Sequence, residues 1–244
     1  MKIQLLFVLF LIQFATIAQT FVSPYKLTYK KDASLTGGGV AAIGFSFVLK
    51  GNKSPLTYES IQKLNRTTVW KIDRPATYNW SISSAKTSDV MVISAYLFPL
   101  LHLIDKNSKS DFGKIVLLQT EVLMITNGLA GITKELVKRN RPFTYNPDAP
   151  LEQKLKHDAT SSFFSGHTSN SSVMSFFMAK TFCDYHPDSN LKPVVWSVAA
   201  IYPLIVGYLR WRAGKHFLTD IATGYVVGGA VGILLPEWSK RMKE

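Results

Sequence analysis

Cysteine, acidic residues and charge in general are scarce in this sequence. One cysteine in 244 residues excludes a disulfide-stabilised scaffold, and the lack of Cys/His clusters gives no reason to expect structural zinc. With 15 glycines and 11 prolines, the chain is neither collagen-like nor repetitive. Charged residues make up 18%, below the roughly 25% of an average soluble domain, while hydrophobic residues at 47% exclude intrinsic disorder. The length fits one sizeable domain.

The shortage of acidic residues leaves the chain strongly basic. Asp and Glu number 16 against 28 Lys and Arg, which gives a net charge of +12. Nucleic-acid binding is the interpretation that such an excess suggests first. The basic residues are scattered among Asn, Thr and Ser before residue 87 and among apolar segments after it, without a continuous basic patch. We therefore do not expect nucleic-acid binding.

An apolar run follows Met1-Lys2 directly and extends from Ile3 to Ala18. Small residues in Thr16-Ile17-Ala18 occupy the positions that a signal peptidase reads, which predicts cleavage before Gln19. The alternative is an uncleaved first anchor, although the run is shorter than the ~20 residues of a full span. In either case the sequence predicts that the chain enters the export route.

Apolar segments of helical rather than strand length dominate the chain from residue 87 onward. They are Val90–Ile104, Ile115–Thr133, Ser171–Cys183, Pro193–Leu209 and Ile221–Pro236. An earlier stretch, Leu35–Leu49, has a length more typical of an interfacial or packed helix than of a span. We predict an all-α fold, a bundle of five or six membrane-embedded helices with the active site at one end. A soluble all-α domain is the alternative.

A first polar cluster follows the segment 115–133. Three cations at helical spacing are predicted to share one face of this helix: Lys134, Lys138 and Arg141. Pro142 is then predicted to end the helix. Cations on one face repel each other unless an anion lies among them. A solvated basic helix end, or positive charge flanking a membrane helix, is the alternative interpretation.

A second cluster, Ser165-Gly166-His167, is predicted to open a helix. The start of a helix offers free backbone N–H groups and the positive end of the helix dipole, a combination that suits a phosphate. Gly166 permits a close backbone approach that a side chain would block. A simple N-cap serine followed by an incidental histidine is the alternative.

A third cluster contains Arg210, Lys215, His216 and Asp220. His216 and Asp220 are four residues apart on one helical turn, so Asp220 is predicted to hold the imidazole in one tautomer. A histidine nucleophile needs this arrangement, because one ring nitrogen is anchored and the other is free to attack. Burial of Asp and His side chains near an apolar helix is costly when they lack partners, which favours a functional role for this pair.

Together the clusters supply cations, two histidines, a carboxylate and backbone donors. This is the set of groups that metal-free phosphoryl transfer through a phosphohistidine requires. A metal site fits less well, because the histidines are not grouped with other ligands and the surrounding charge is positive.

The order and spacing K-x6-RP, SGH and R-x5-H-x3-D resemble those of the type 2 phosphatidic acid phosphatase and vanadium haloperoxidase superfamily. Here they read KELVKRNRP, FSGH and RWRAGKHFLTD, and the resemblance covers roughly residues 90 to 236. It implies His216 as the nucleophile, Asp220 as its orienting partner and His167 as the general acid, with no cofactor. It implies that the phosphoryl group is bound by Lys134, Arg141, Ser165, Gly166 and Arg210.

The sequence departs from the family pattern at two flanking positions. Phe164 stands where proline is usual and Leu209 where serine often precedes the arginine, which puts substrate fit in question more than chemistry. Lys138 and Lys215 are additional candidates for the site, since their spacing allows them near the phosphate but the motif does not require them.

The resemblance implies a metal-independent membrane phosphatase acting on a lipid phosphate or diphosphate. Undecaprenyl diphosphate, phosphatidylglycerophosphate, phosphatidic acid and lipid A phosphate all belong to the expected substrate class, and nothing in the sequence selects among them. Oligomeric state is not predicted. The alternatives are a soluble periplasmic acid phosphatase of broad specificity and a catalytically silent lipid-phosphate binder, which does not need an oriented nucleophile. A haloperoxidase holding vanadate suits an exported apolar chain less well.

The membrane topology depends on residues 35–49. If they do not span, an exported Gln19 places the clusters outside the cytoplasm and leaves the basic tail inside, as the positive-inside rule prefers. If they span after a cleaved signal, the site faces the cytoplasm. We expect the first arrangement, an inner-membrane protein with its site facing the periplasm. The predicted divisions are a signal peptide or anchor (1–18), an N-terminal extracytoplasmic region (19–86), a phosphatidic acid phosphatase type 2 domain (87–236) and a basic tail (237–244).

Overall fold

The computed structural model describes residues 22–51 and 54–240, so the predicted signal segment and the end of the basic tail lie outside the described residues. The described chain is helical, and its only β pairing is an isolated bridge between Tyr25 and Lys240. This confirms the all-α prediction. In chain order the α-helices are α1 (Tyr29–Gly51), α2 (Tyr58–Gln62), α3 (Ile82–Tyr96), α4 (Phe112–Val137), α5 (Leu151–Lys154), α6 (Gly166–Tyr185), α7 (Lys192–Arg212) and α8 (Leu218–Trp238).

Four helical segments of the described chain are long and apolar enough to cross a membrane, by length and composition. They are α1, α4 with its flanking turns, α7 and α8. Helix α1 is longer than the predicted stretch 35–49, because the polar residues after Thr28 are helical too. Asp32 accepts the N–H of Thr28 at 2.6 Å and so holds the helix start. The described helix is therefore long enough to span, by length and composition, whereas the predicted stretch 35–49 was short for a span.

Helix α6 occupies the centre of the bundle. It packs against α3, α4, α7 and α8, while α1 packs along α4. Its buried residues include many small polar side chains, among them Ser169, Asn170, Ser171, Ser172 and Ser175. Several of these bond to carbonyls of their own helix, as Ser175 does to Ser171 at 2.6 Å. These α6 hydroxyl groups are thereby satisfied within their own helix.

A glycine stripe on α8 lets this helix approach α6 closely. A Cβ atom at Gly224 would lie 2.6 Å from the carbonyl oxygen of Ser165, and one at Gly232 would lie 2.6 Å from that of Val173. Any side chain at these positions would push the helices apart, which is the reason that small residues recur at membrane helix interfaces. The stripe therefore fixes the start of α8 against the start of α6.

The two ends of the bundle differ in character. At one end, Lys26 donates its N–H to the carbonyl of Ser239 at 2.9 Å, and Tyr25 donates to Asp184 at 2.8 Å. This clasp ties the start of α1 to the ends of α6 and α8. At the other end lie the C-termini of α1, α4 and α7 and the N-termini of α6 and α8, and the three polar clusters meet there.

Candidate active site

Helix α4 delivers the first cluster, but it ends earlier than predicted. Val137 is its last residue, and Lys138 follows in a left-handed conformation with φ 49°. The prediction that Pro142 ends this helix was therefore wrong. Lys134 and Arg141 still reach the same site, one from the last turn of α4 and the other from the loop beyond it. Lys138 is exposed, so the predicted shared face is not formed.

Arg141 is buried and points at the third cluster. Its Nη1 atom lies 3.4 Å from Nε2 of His216 and 3.3 Å from the carbonyl oxygen of Lys215. Its Nε donates to the carbonyl of Asp158 at 2.8 Å, and the Asp158 carboxylate lies 3.4 Å from Nη2. These contacts hold the guanidinium beside the ring nitrogen that a nucleophile would use.

The second cluster opens α6, as the sequence predicts. Ser165 is the N-cap, and its side chain accepts the N–H of Thr168 at 3.3 Å. Gly166 begins the helix so close to Lys134 that a Cβ atom there would lie 2.8 Å from the lysine Nζ. The first-turn N–H groups, which have no helical carbonyl to bind, therefore lie beside an ammonium group. Both features attract an anion.

His167 and Arg210 share one partner, Asp89 of α3. The carboxylate oxygen Oδ1 of Asp89 lies 2.6 Å from Nε2 of His167 and 3.2 Å from Nη1 of Arg210. Arg210 also donates to Ser88 Oγ at 3.2 Å. A single oxygen thus joins the second cluster to the third.

His216 is almost fully buried, at 1% exposure. Its Nδ1 atom lies 2.8 Å from the carbonyl oxygen of Ser162 and 3.6 Å from a carboxylate oxygen of Asp220. The carbonyl can only accept, so Nδ1 carries the hydrogen and Nε2 presents a lone pair toward Arg141. The predicted direct anchor, Asp220, is present but is not the nearest acceptor.

Asp220 instead connects the parts of the site. It accepts hydrogen bonds from Ser162 Oγ at 2.6 Å, from the N–H of Phe217 at 2.9 Å and from Arg139. Its own carbonyl accepts the N–H of Ser165 at 3.0 Å. One buried residue therefore links the start of α6, the start of α8 and the loop that follows α4.

Arg139 extends this connection to the region before α3. Besides Asp220, it binds Asp73 at 2.7 Å and Thr219 Oγ1 at 2.8 Å, and its guanidinium lies 4.1 Å from the ring centroid of Phe217. Asp73 is buried at 1% exposure and also accepts from the N–H and the hydroxyl of Thr219 at 3.1 and 2.6 Å. The segment around residue 73 is thus part of the support of the site.

Positive charge dominates the electrostatics of the loop between α7 and α8. Burial, followed by the cations Arg141 and Arg210, lowers the pKa of His216 well below its ordinary value. The ring is therefore neutral near pH 7, the form that can attack phosphorus. Burial and Arg141 also lower the pKa of Lys215 to about 8, and its Nζ lies 4.6 Å from the ring centroid of Phe143.

The structure brings together most of the predicted site residues at one end of the bundle. Among the described residues, no group of three His, Cys, Asp or Glu side chains is arranged to hold a metal ion. The predicted residues that meet there are Lys134, Arg141, Ser165, Gly166, His167, Arg210, His216 and Asp220. Such a set can hold an anion between cations and present one unprotonated ring nitrogen to it.

Four residues that contact or support the site were not predicted from the sequence: Asp73, Asp89, Arg139 and Ser162. Asp89 carries a faint signal, as a carboxylate within the mainly uncharged helix α3. Arg139 lies inside the first cluster but was hidden among its basic neighbours. Ser162 acts through its backbone carbonyl and Asp73 lies in a polar loop, so neither has a pattern that sequence reasoning can detect.

A helical bundle with a basic, histidine-containing site at one end is the architecture of a phosphate-handling membrane protein. The chain belongs to the PAP2 superfamily, whose sequence model matches residues 115–243, more than half of the chain. This confirms the resemblance recognised from the three motifs.

Two named relatives align with the greater part of the chain. Phosphatidylglycerophosphatase B of Bacillus subtilis is 29% identical over 160 residues, which cover 62% of this chain and 71% of that protein. Lipid A 4'-phosphatase of Porphyromonas gingivalis is 28% identical over 152 residues, 61% of this chain and 60% of that protein. The chain therefore spans less than two thirds of the second relative.

A solved structure shares the fold. It is the crystal structure of a transmembrane PAP2 type phosphatidylglycerolphosphate phosphatase from Bacillus subtilis, with a TM-score of 0.53 and 20% sequence identity. The match covers 84% of this chain and 98% of that one. At this identity the likeness concerns the arrangement of the helices alone.

Proposed function

We propose that the protein is a metal-independent lipid phosphatase that works through a phosphohistidine. One observation carries this proposal: a buried, neutral His216 has its Nδ1 fixed by Ser162 and its Nε2 directed at Arg141. In this proposal His216 is the nucleophile and His167 the general acid. The phosphoryl oxygens are held by Lys134, Arg141, Arg210, the Ser165 hydroxyl and the backbone at Gly166.

The reaction proceeds in two steps. His216 Nε2 attacks phosphorus, and the bond to the leaving oxygen breaks as His167 gives that oxygen a proton. Neutral His167 then takes a proton from water, which attacks the phosphohistidine and releases phosphate. The cations stabilise the charge on the transferred group throughout. The Ser162 carbonyl keeps the imidazole oriented, and Asp220 offsets its positive charge once the ring is phosphorylated.

A lipid phosphate is the proposed substrate, with phosphatidylglycerophosphate and lipid A phosphates as the first classes to examine. The names of both relatives support this choice. A cavity of about 220 Å³ lies between the end of α1 and the end of α4, lined in part by Lys50, Lys134 and Arg141. Its three cations outnumber the two acids of its lining, Glu135 and Asp158, which suits an anionic headgroup.

Exposed apolar side chains favour the membrane enzyme over a soluble acid phosphatase. Along α7, side chains between 45% and 57% exposed include Val194, Val198, Ile201, Leu204, Ile205 and Tyr208. A helix with this surface needs lipid around it. An anchored, neutral His216 likewise favours an enzyme over a silent binder, which has no use for an oriented nucleophile.

We place the protein in the inner membrane with its site facing the periplasm. A crossing α1 would divide the predicted extracytoplasmic region, leaving residues 22–28 on one side and 54–81 on the other. Lys26, Lys30 and Lys31 at the clasp end favour a cytoplasmic position for that end under the positive-inside rule. This placement keeps residues 22–28 in the cytoplasm and so replaces the expected export of Gln19, because an exported Gln19 followed by a crossing α1 would place the site in the cytoplasm.

Phosphate release by the purified protein in detergent tests the activity. With EDTA present, we expect release from lipid phosphates and loss of release in His216→Ala, while the variant keeps the thermal unfolding midpoint of the parent. Loss of activity on chelation, or full activity in His216→Ala, would remove the mechanism. Equal rates on lipid and soluble aryl phosphates would favour the broad acid phosphatase.

The orientation can be tested with the single native cysteine removed. In a Cys183→Ser background, Lys71→Cys places a thiol in the exposed loop near the site, and Asn190→Cys places one between α6 and α7 at the opposite end. A membrane-impermeant maleimide applied to spheroplasts should label the first and spare the second. The reverse pattern would place the site in the cytoplasm.

A further inference from the structure

One carboxylate oxygen joins the proposed general acid to a proposed phosphate ligand. Oδ1 of Asp89 is 2.6 Å from Nε2 of His167 and 3.2 Å from Nη1 of Arg210. Asp89 belongs to α3, outside the three motifs and outside the residues 115–243 matched by the family model. Nothing in the roles assigned so far explains why an acid should stand among groups that bind an anion.

The hydrogen-bond geometry fixes one proton of His167. A carboxylate oxygen at 2.6 Å accepts a hydrogen from the ring, so Nε2 carries one. The same carboxylate is the anionic group in contact with a ring that otherwise faces Arg210. Burial and Arg210 lower the pKa of His167 to about 4, and the negative charge of Asp89 opposes both by favouring the form of the ring that carries a proton on both nitrogens. That form is the one that can give a proton away.

We propose that Asp89 is the positioning residue of the general acid, holding His167 by its Nε2–H so that a protonated imidazole meets the leaving oxygen. The inference rests on the proposed function and deepens it, because it adds a positioning residue to the proposed general acid. An alkoxide leaving group needs a proton as the P–O bond breaks, whereas a phenolate or a phosphate leaves without one. The contribution of Asp89 to the rate should therefore be large on alkyl phosphate esters and small on aryl phosphates.

The proton balance of this step is simple. The N–P bond to His216 forms, the P–O bond to the alkyl group breaks, and the leaving oxygen takes one proton from His167. Asp89 remains a carboxylate throughout, and only the charge of its partner His167 changes. In the second step neutral His167 accepts a proton from the attacking water and returns to its starting form beside Asp89.

The test compares two leaving groups in Asp89→Asn. Phosphate release is measured from phosphatidylglycerophosphate in detergent micelles and from p-nitrophenyl phosphate. Asparagine keeps the shape of the Asp89 side chain and removes its negative charge. We expect kcat on the alkyl ester to fall about 10- to 100-fold more than kcat on the aryl ester, a part of the ~10²–10⁴ that general acid–base catalysis supplies. Any weakening of Arg210 affects both substrates and cancels in the ratio.

Asp158→Asn is the matched control. Asp158 is 54% exposed against 52% for Asp89 and also pairs with an arginine of the site, Arg141, but it does not contact His167. We expect this variant to change both rates in parallel. In a His167→Asn background, adding Asp89→Asn should leave the alkyl-to-aryl ratio where the single His167→Asn variant puts it.

Each remaining outcome counts against the proposal. An unchanged ratio in Asp89→Asn, a ratio shifted equally by Asp158→Asn, or a further shift in the double variant would each overturn the role of Asp89 while leaving the phosphatase intact. Failure of the parent protein to release phosphate from either ester, by contrast, would overturn the proposed function itself.

Discussion

The carbonyl oxygen of Ser162 lies 2.8 Å from Nδ1 of His216, nearer than any carboxylate oxygen. The tautomer of the proposed nucleophile is therefore held by the main chain. Asp220, at 3.6 Å, acts on the ring through charge and through the loop that it fastens. Ser162 therefore fixes the tautomer and Asp220 supplies the negative charge, whereas a direct Asp–His hydrogen bond would do both.

Asp220→Asn should accordingly cost stability as well as activity. The variant leaves Arg139 with one carboxylate, Asp73, and the Thr219 hydroxyl, so we expect a loss in unfolding free energy somewhat below the ~3–5 kcal/mol of a broken buried ion pair. Because Ser162 still holds the ring, kcat should fall less than in His216→Ala. Thermal unfolding in detergent and phosphate release measure the two quantities. A kcat loss as large as that of His216→Ala, at unchanged stability, would show that Asp220 is the true anchor.

The depressed pKa of His216 predicts an acid-sensitive fold. The unfolded chain takes up a proton at this residue near pH 6.5, whereas the folded chain remains unprotonated to lower pH. The unfolded state therefore binds more protons below that pH, and stability falls as the pH is lowered. His216→Gln lacks this site, so its stability should decline less between about pH 7.5 and about pH 5. Parallel declines for parent and variant would contradict the shift.

Gly166→Ala should weaken phosphate binding with little loss of stability. The new Cβ would lie 2.8 Å from Nζ of Lys134, and the flexible lysine can move aside only by leaving its place at the start of α6. We expect a raised inhibition constant for inorganic phosphate. Gly113→Ala is the control, since a Cβ at that α4 position meets no atom within 4 Å. Equal phosphate inhibition in both variants would exclude the lysine displacement.

Asp73→Asn should loosen the loop that supports the site. Asp73 binds Arg139 and Thr219 from a buried position, and hydrogen bonds to charged groups contribute about 1.5–3 kcal/mol each. A lower unfolding midpoint and faster proteolysis within residues 54–81 are the expected results. Glu59→Gln removes an exposed acid from the same segment and should change neither. If Asp73→Asn resisted proteolysis as well as the parent protein, contacts other than those of Asp73 would hold the loop.

The sequence predicts the residues that would bind or attack the phosphate better than the residues that hold them in position. The motif spacing brings Lys134, Arg210 and His216 to one place because each lies at a helix end, and helix ends can be read from apolar segments and from serine or glycine signals. Asp89 and Asp73 reach the site only through tertiary packing, which has no local signature. The early end of α4 at Val137 depends on the left-handed backbone of Lys138. This conformation is unfavourable for a lysine, so the sequence gives no reason to expect it.

The buried serines and asparagine of α6 also affect how the protein enters a membrane. This helix does not belong to the segments apolar enough to cross on their own, although α7 and α8 beside it do. Its hydroxyl and amide groups are tolerated because its neighbours surround it. We therefore expect α6, fused alone to an insertion reporter, to be rejected by the translocation machinery. Fused together with α7 and α8, it should be accepted, so that insertion of the catalytic helix waits for the synthesis of the helices that follow it.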